Sequence, residues 1–192
     1  MSPFSRAYWF GTVDARLAAI FRIGLGLILF VDCLDLFGSR EPFFASTGIF
    51  PDFGPMDHRW SIFQLGRSPA AVTAWFAFGS VSLLAFTLGL FTRVSTVLAW
   101  IFLASLRTQN PWVATGGDYV AQTLVIFSLF TDLGATWSLD AVRRKASRST
   151  VPALGWRLML VHVAILYFVT ARLKVRHGWL IEGDGVYQAL VI

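Results

Sequence analysis

Hydrophobic and polar positions divide this chain into long apolar runs separated by short polar joints. The first run, Arg16 to Phe37, reads RLAAIFRIGLGLILFVDCLDLF and is apolar apart from Arg22, Asp32 and Asp35. A membrane-crossing helix needs about 20 mostly apolar residues. A soluble helix of this length would need a far more polar face. Gly38 to Arg67 follows as a predicted loop holding Pro42, Pro51 and Pro55. Its Phe43, Phe44, Phe50, Phe53 and Trp60 suggest a segment lying against the membrane surface. Pro69 to Phe91 is uncharged throughout, with proline well placed at a helix start. After the tight Thr92-Arg93 joint, Val94 to Leu106 offers 13 residues before Arg107. At a rise of about 1.5 Å per residue that run reaches only ~20 Å of a ~30 Å hydrocarbon core. It extends if Arg107 snorkels or faces the bundle interior.

Gln109 to Asp118, with its Asn-Pro and Gly-Gly pairs, reads as a turn. A fourth span is predicted from Tyr119 through Phe130 and on toward Trp137. The basic stretch AVRRKASRST then leads to a fifth, from about Val151 to Ala171. The expected architecture is all-α: one polytopic transmembrane helical bundle of about five spans over residues 1–192, without internal repeats or low-complexity tracts.

Composition agrees. The 192 residues are 56% hydrophobic and 14% charged, with a mean hydropathy of +0.63. Soluble domains carry about 25% charged residues, so this chain cannot coat itself with polar surface. Aromatic residues make up 16%, including 18 Phe and 8 Trp, as suits a protein with interfacial side chains. The net charge of +5 would suggest nucleic acid for a soluble protein. Here the basic residues cluster in joints between apolar runs. Positive-inside bias and contact with anionic lipid headgroups explain them better, so lipids and not nucleic acids are the expected partners. The dense Arg143 to Arg148 cluster favours a cytoplasmic N terminus, which puts Arg6, Arg16 and Arg93 on the same side. No signal peptide precedes the first run, and the single cysteine, Cys33, reads as a small packing residue.

Ionisable residues inside a membrane are functional candidates by default. Lys174 follows the uncharged run Leu158 to Ala171 and Arg172. If the helix continues, its period puts Tyr167, Thr170, Lys174 and His177 on one face. A lysine serves as a base near neutral pH when burial lowers its pKa. The simpler alternative is that Arg172, Lys174 and Arg176 mark a helix end and snorkel to headgroups. His162 lies mid-span without a second histidine at ligand spacing, and His58 lies in a loop, so no metal is expected. Asp32 and Asp35 share a helix face. Arg22, ten residues earlier and ~15 Å away along the axis, cannot pair with Asp32 directly. Each is expected to pair with another helix or to sit near an interface, in a structural role or a proton or substrate role. No phosphate loop, GxSxG, HExxH or CxxC motif occurs.

Five local patterns, in order over residues 16 to 185, resemble one family. They are LAAIFRIGLGLILFVD, FFASTGIFP, RTQNPWVATGGD, TWSLD and YFVTARLKVRHGWLIEG. Together they resemble the horizontally transferred transmembrane (HTTM) domain, the membrane portion of the vitamin K-dependent gamma-carboxylase-like proteins. The resemblance implies a quinol, vitamin K-like, as the bound partner. It implies Lys174 as the base that deprotonates it, with Tyr167, His177 and Trp179 beside it. In the carboxylase the quinol anion reacts with oxygen to give a stronger base. That base removes the gamma proton of a glutamate, and carbon dioxide adds. This chain departs from the pattern in having Leu173-Lys174 where the carboxylase has a lysine pair. It has Gly116, Gly117 and Asp118 where a catalytic histidine stands, with Asp118 a candidate for a polar role there. The carboxylase's large water-exposed domain has no counterpart within these 192 residues. The apolar GVYQALVI at the end reads as the beginning of another span, as in a fragment or a shortened relative. A non-catalytic membrane protein that binds lipid or partner subunits is the alternative.

Overall fold

The computed structural model describes residues 5–49 and 60–176. Met1–Trp156 form one compact unit and Arg157–Ile192 a second. The element order is α1 (Arg6–Phe10), β1 (Thr12–Asp14), α2 (Ala15–Gly38), α3 (Arg40–Phe44), a 3-10 turn (Ile62–Leu65), α4 (Pro69–Leu88), α5 (Thr92–Gln109), α6 (Gly116–Ser128), α7 (Leu139–Arg144), β2 (Thr150–Pro152) and α8 (Leu154–Arg176). All five predicted spans are helices. Three of them, α2, α4 and α8, are long and apolar enough to cross a membrane.

The remaining two depart from the expectation of about five full spans. α5 gains length by taking Arg107 and Gln109 into the bundle, where both are buried. α6 has only 13 residues and stops at Ser128, well before Trp137. At ~1.5 Å per residue it covers ~20 Å. Thr131, Leu133 and Gly134 beyond it form turns, and the carbonyls of Leu133 and Gly134 are taken up by arginine side chains.

Local chemistry sets the helix limits. Asp14 caps α2 by accepting from the Arg16 N–H at 2.7 Å. Ser68 caps α4 by accepting from the Ala71 N–H at 3.2 Å, with Pro69 in the first turn. α4 ends three residues sooner than the hydrophobic pattern suggests, because Gly89 takes a left-handed φ of 67° and its N–H donates to the Ala85 and Phe86 carbonyls. A short antiparallel sheet, absent from the sequence expectation, pairs Thr12 with Pro152, Val13 with Val151 and Asp14 with Thr150. It displaces the start of the last helix from Val151 to Leu154, and that helix runs past Ala171 to Arg176.

α2 buries Ala15, Ala18, Ala19, Arg22, Gly26, Leu29 and Cys33 along one stripe. Small residues let membrane helices approach closely, and dispersion then replaces the hydrophobic drive that lipid does not provide. A methyl at Gly26 would sit 3.0 Å from the Thr87 Cα of α4, so these two backbones touch.

In the segment after α2, Phe44, Ala45, Ser61, Ile62 and Phe63 are buried against the bundle. Phe44 is fully buried, stacked on Phe63 at 5.3 Å and edge-on to Phe76 at 5.4 Å. Phe76 also meets Phe102 edge-on at 5.7 Å. Ser61 and Ser105 lash the loop to α5: Ser61 Oγ donates to the Ser105 carbonyl at 3.2 Å, and the Ile62 N–H donates to Ser105 Oγ at 3.1 Å. Trp60 is exposed as expected, while Phe50 and Phe53 lie outside the described residues.

Candidate functional site

Two buried arginines organise opposite ends of the α2–α4–α5 bundle. Arg22 is fully buried one turn inside the small-residue stripe. Its Nε donates to the Thr87 carbonyl at 3.3 Å, Nη1 to the Leu133 carbonyl at 2.5 Å and Nη2 to the Trp137 carbonyl at 2.5 Å. A planar guanidinium presents its donors in a fixed fork, and here the fork joins α2 to the end of α4 and to the turns after α6. As the sequence spacing required, Arg22 makes no pair with Asp32.

The Trp-Ser-Leu-Asp segment completes this junction. Trp137 has a left-handed φ of 46° and offers its carbonyl to Arg22. Ser138 caps α7 by accepting from the Ala141 N–H at 2.9 Å. Asp140 reaches the start of α5: Oδ1 accepts from the Phe91 N–H at 2.9 Å, and Oδ2 accepts from the Thr92 N–H and Oγ1 at 2.7 Å each. Burial pushes the Asp140 carboxyl upward. The bonds from Thr92 and Phe91, with the nearby Arg144 cation, outweigh that and hold it below its ordinary range. This capping of one helix by a residue 48 positions away left no sign in the hydrophobic pattern.

Arg107 stands at the far end of α5. It is 7% exposed, donates through Nη1 to the Gln122 side-chain carbonyl and packs over the Tyr119 ring at 4.9 Å. It makes no ion pair among the described residues. Arg107, Asn110 and Asp118 provide the polar lining of a ≈60 Å³ cavity, with Leu36, Phe44 and Leu103 among its apolar walls. Asn110 is fixed by donating from Nδ2 to the Phe43 carbonyl at 3.0 Å and accepting the Trp112 N–H at 3.1 Å. The cavity is smaller than the ~150 Å³ that admits a benzene ring. Arg107 faces the bundle interior, one of the two alternatives the sequence left open, but its place on a cavity was not foreseen. The available signal was Gln122, one turn after Tyr119 and so on the same side of α6.

The remaining candidates are dispersed. Asp118 forms a capping box with Thr115, its Oδ2 accepting from the Thr115 N–H at 2.6 Å and Oγ1 at 2.9 Å. It also lies within electrostatic reach of Asp32 and Arg107. Asp32 and Asp35 share an exposed side of α2, and neither has an ion-pair partner among the described residues. In the second unit, α8 carries His162, half-buried, and Tyr167, 71% exposed. α8 extends unbroken through the positions of Thr170 and Lys174. The Lys174 side chain, His177 and Trp179 lie outside the described residues. Among the described residues no three His, Cys, Asp or Glu side chains gather as metal ligands.

Three apolar spanning helices, a two-ended bundle locked by buried guanidinium groups and a polar-lined cavity define a polytopic integral membrane protein. The HTTM domain matches residues 10–190, nearly the whole chain, and the protein belongs to the HTTM domain family. Neither the curated proteins nor the solved structures yielded a match.

Proposed function

We propose that this HTTM protein is a membrane-embedded enzyme of the vitamin K-dependent gamma-carboxylase-like group, acting on a quinol with Lys174 as its base. The observation that carries the reading is the family match through residue 190, taken with a continuous α8 that puts Tyr167, Thr170 and Lys174 at the period of one helix face. Tyr167 is exposed on α8, with the exposed Leu160, Ala164 and Ala171 on the same side of the helix, giving apolar area and one phenol to a ring arriving through the bilayer. Deprotonated quinol supplies the oxygen chemistry. Lys174 would take up the quinol proton, which requires a neutral amine, the form that burial in low dielectric favours. Tyr167 would orient the quinol hydroxyl, joined by His177 and Trp179.

Reconstituted protein tests the base. Lys174→Ala is expected to abolish quinol-dependent oxygen uptake with folding intact. Lys174→Arg is expected to abolish it too, because arginine stays protonated. Uptake unchanged in either variant refutes the role. Mass spectrometry of the detergent-purified protein is expected to find a co-purifying quinone.

The N terminus is assigned to the cytoplasm. Arg16 and Arg148 line one crevice, and Arg93, Arg143, Arg144 and Arg148 line another. This gathering of basic residues beside span ends supports the orientation by the positive-inside rule. Cysteine labelling at Ser5 and in the Gly66–Ser68 loop reads the two faces.

A second reading has an observation of its own. Arg22, Asp118 and Asp140 direct their hydrogen bonds at helix ends and turns, as in a non-catalytic scaffold that binds lipid or partner subunits. That protein would tolerate Lys174→Arg.

A further inference from the structure

The α4–α5 turn lies at the end of a 20-residue apolar helix, so it sits at one membrane face. Beside it opens a ≈640 Å³ crevice whose cationic lining is Arg93, Arg143, Arg144 and Arg148. Two carboxylates line the same crevice, and both are engaged. Asp140 accepts three bonds from Phe91 and Thr92, and Asp132 faces Arg148 at 3.5 Å. Three of the four guanidinium groups are held in place. Arg143 stacks over the Phe91 ring at 4.4 Å, Arg144 Nη2 donates to the Gly134 carbonyl at 2.7 Å, and Arg148 meets Asp132. Arg93 has no hydrogen-bond or ion-pair partner among the described residues and stands in the first turn of α5. A cation there opposes the positive end of the helix dipole unless an anion joins it.

Apolar side chains border these cations. Phe91 and Val94 line the crevice, and Trp137, Leu139 and Val142 stand exposed on and beside α7. Guanidinium groups interleaved with exposed aromatic and aliphatic side chains at a span end make a surface for an amphiphile with a negative head. A freely soluble phosphate would gain nothing from the apolar border. We propose that this crevice is a binding site for the phosphate of an anionic phospholipid, with Arg93 and Arg143 as its principal ligands and Arg144 and Arg148 closing the rim. Arginine suits the task because its fork engages two phosphate oxygens at once.

Native mass spectrometry of the full chain from nanodiscs tests it, comparing phosphatidylglycerol mixed equally with phosphatidylcholine against phosphatidylcholine alone. Wild type is expected to retain phosphatidylglycerol preferentially. Arg93→Gln/Arg143→Gln is expected to lower that preference on the order of 25-fold, since each basic residue near an anionic surface contributes about a fivefold factor. Arg93→Lys/Arg143→Lys, which keeps both charges, is expected to restore part of it and guards against a folding defect in the glutamine pair. Equal retention of the two lipids by wild type overturns the proposal, as does a glutamine pair within twofold of wild type. Inorganic phosphate at millimolar concentration is expected not to displace the lipid. Displacement would make the ligand a soluble phosphate and overturn the lipid assignment.

Discussion

Removing the Arg22 side chain is the sharpest perturbation this bundle offers. In Arg22→Ala the carbonyls of Thr87, Leu133 and Trp137 lose their guanidinium donors together. Hydrogen bonds involving a charged group contribute about 1.5–3 kcal/mol each. The two bonds at 2.5 Å belong at the upper end of that range and the Nε bond at 3.3 Å at the lower end. Their gross loss is then about 5–8 kcal/mol. Against it stands the relief of no longer burying a cation at membrane depth, about 2.5–3.5 kcal/mol. The net expectation is a destabilisation of about 2–5 kcal/mol, a large share of the ~5–15 kcal/mol that holds typical proteins folded. Arg22→Lys is expected to fall between, because an ammonium on one flexible stem cannot span three carbonyls fixed by a planar fork. The assay is thermal unfolding in detergent, followed by intrinsic fluorescence from the 8 tryptophans and by fluorescence-detected size exclusion. An Arg22→Ala midpoint equal to that of wild type would refute the reasoning and show that water satisfies those carbonyls just as well.

Two further outcomes follow from the same junctions. The Asp140 carboxyl is held below its ordinary 3.8, so its contribution is complete above that value and fades as pH falls through the lowered folded-state pKa. Asp140→Asn should flatten stability against pH below about 4 and cost about 1 kcal/mol at neutral pH, as helix-cap losses do. An unaltered acid limb in chemical denaturation would contradict this. Gly26→Val should force α2 off Thr87 and cost about 1–3 kcal/mol by overpacking, whereas Gly24→Ala, with open space around it, should be neutral. Equal melting points for the two variants would remove the close α2–α4 contact from the account.

What the linear sequence decided follows from the expense of placing polar groups in hydrocarbon. That single rule fixed the membrane class, the existence of all five helices and the rough limits of α2 and α4, because each apolar run reports its own environment. The five family patterns added the HTTM assignment, which the match over residues 10–190 bears out. Three-dimensional contact decided the rest. Phe44 and Trp60 lie in the same aromatic loop, yet one is buried in the core and the other is exposed. Asp140 and Thr92 meet 48 residues apart, and β1 finds β2 across most of the chain. Arg22 and Arg107 both interrupt apolar runs, and nothing local distinguishes a guanidinium that binds three carbonyls from one that lines a cavity. Hydropathy records the cost of burying a residue. The partner that offsets that cost comes from distant segments, and only folding brings it into reach.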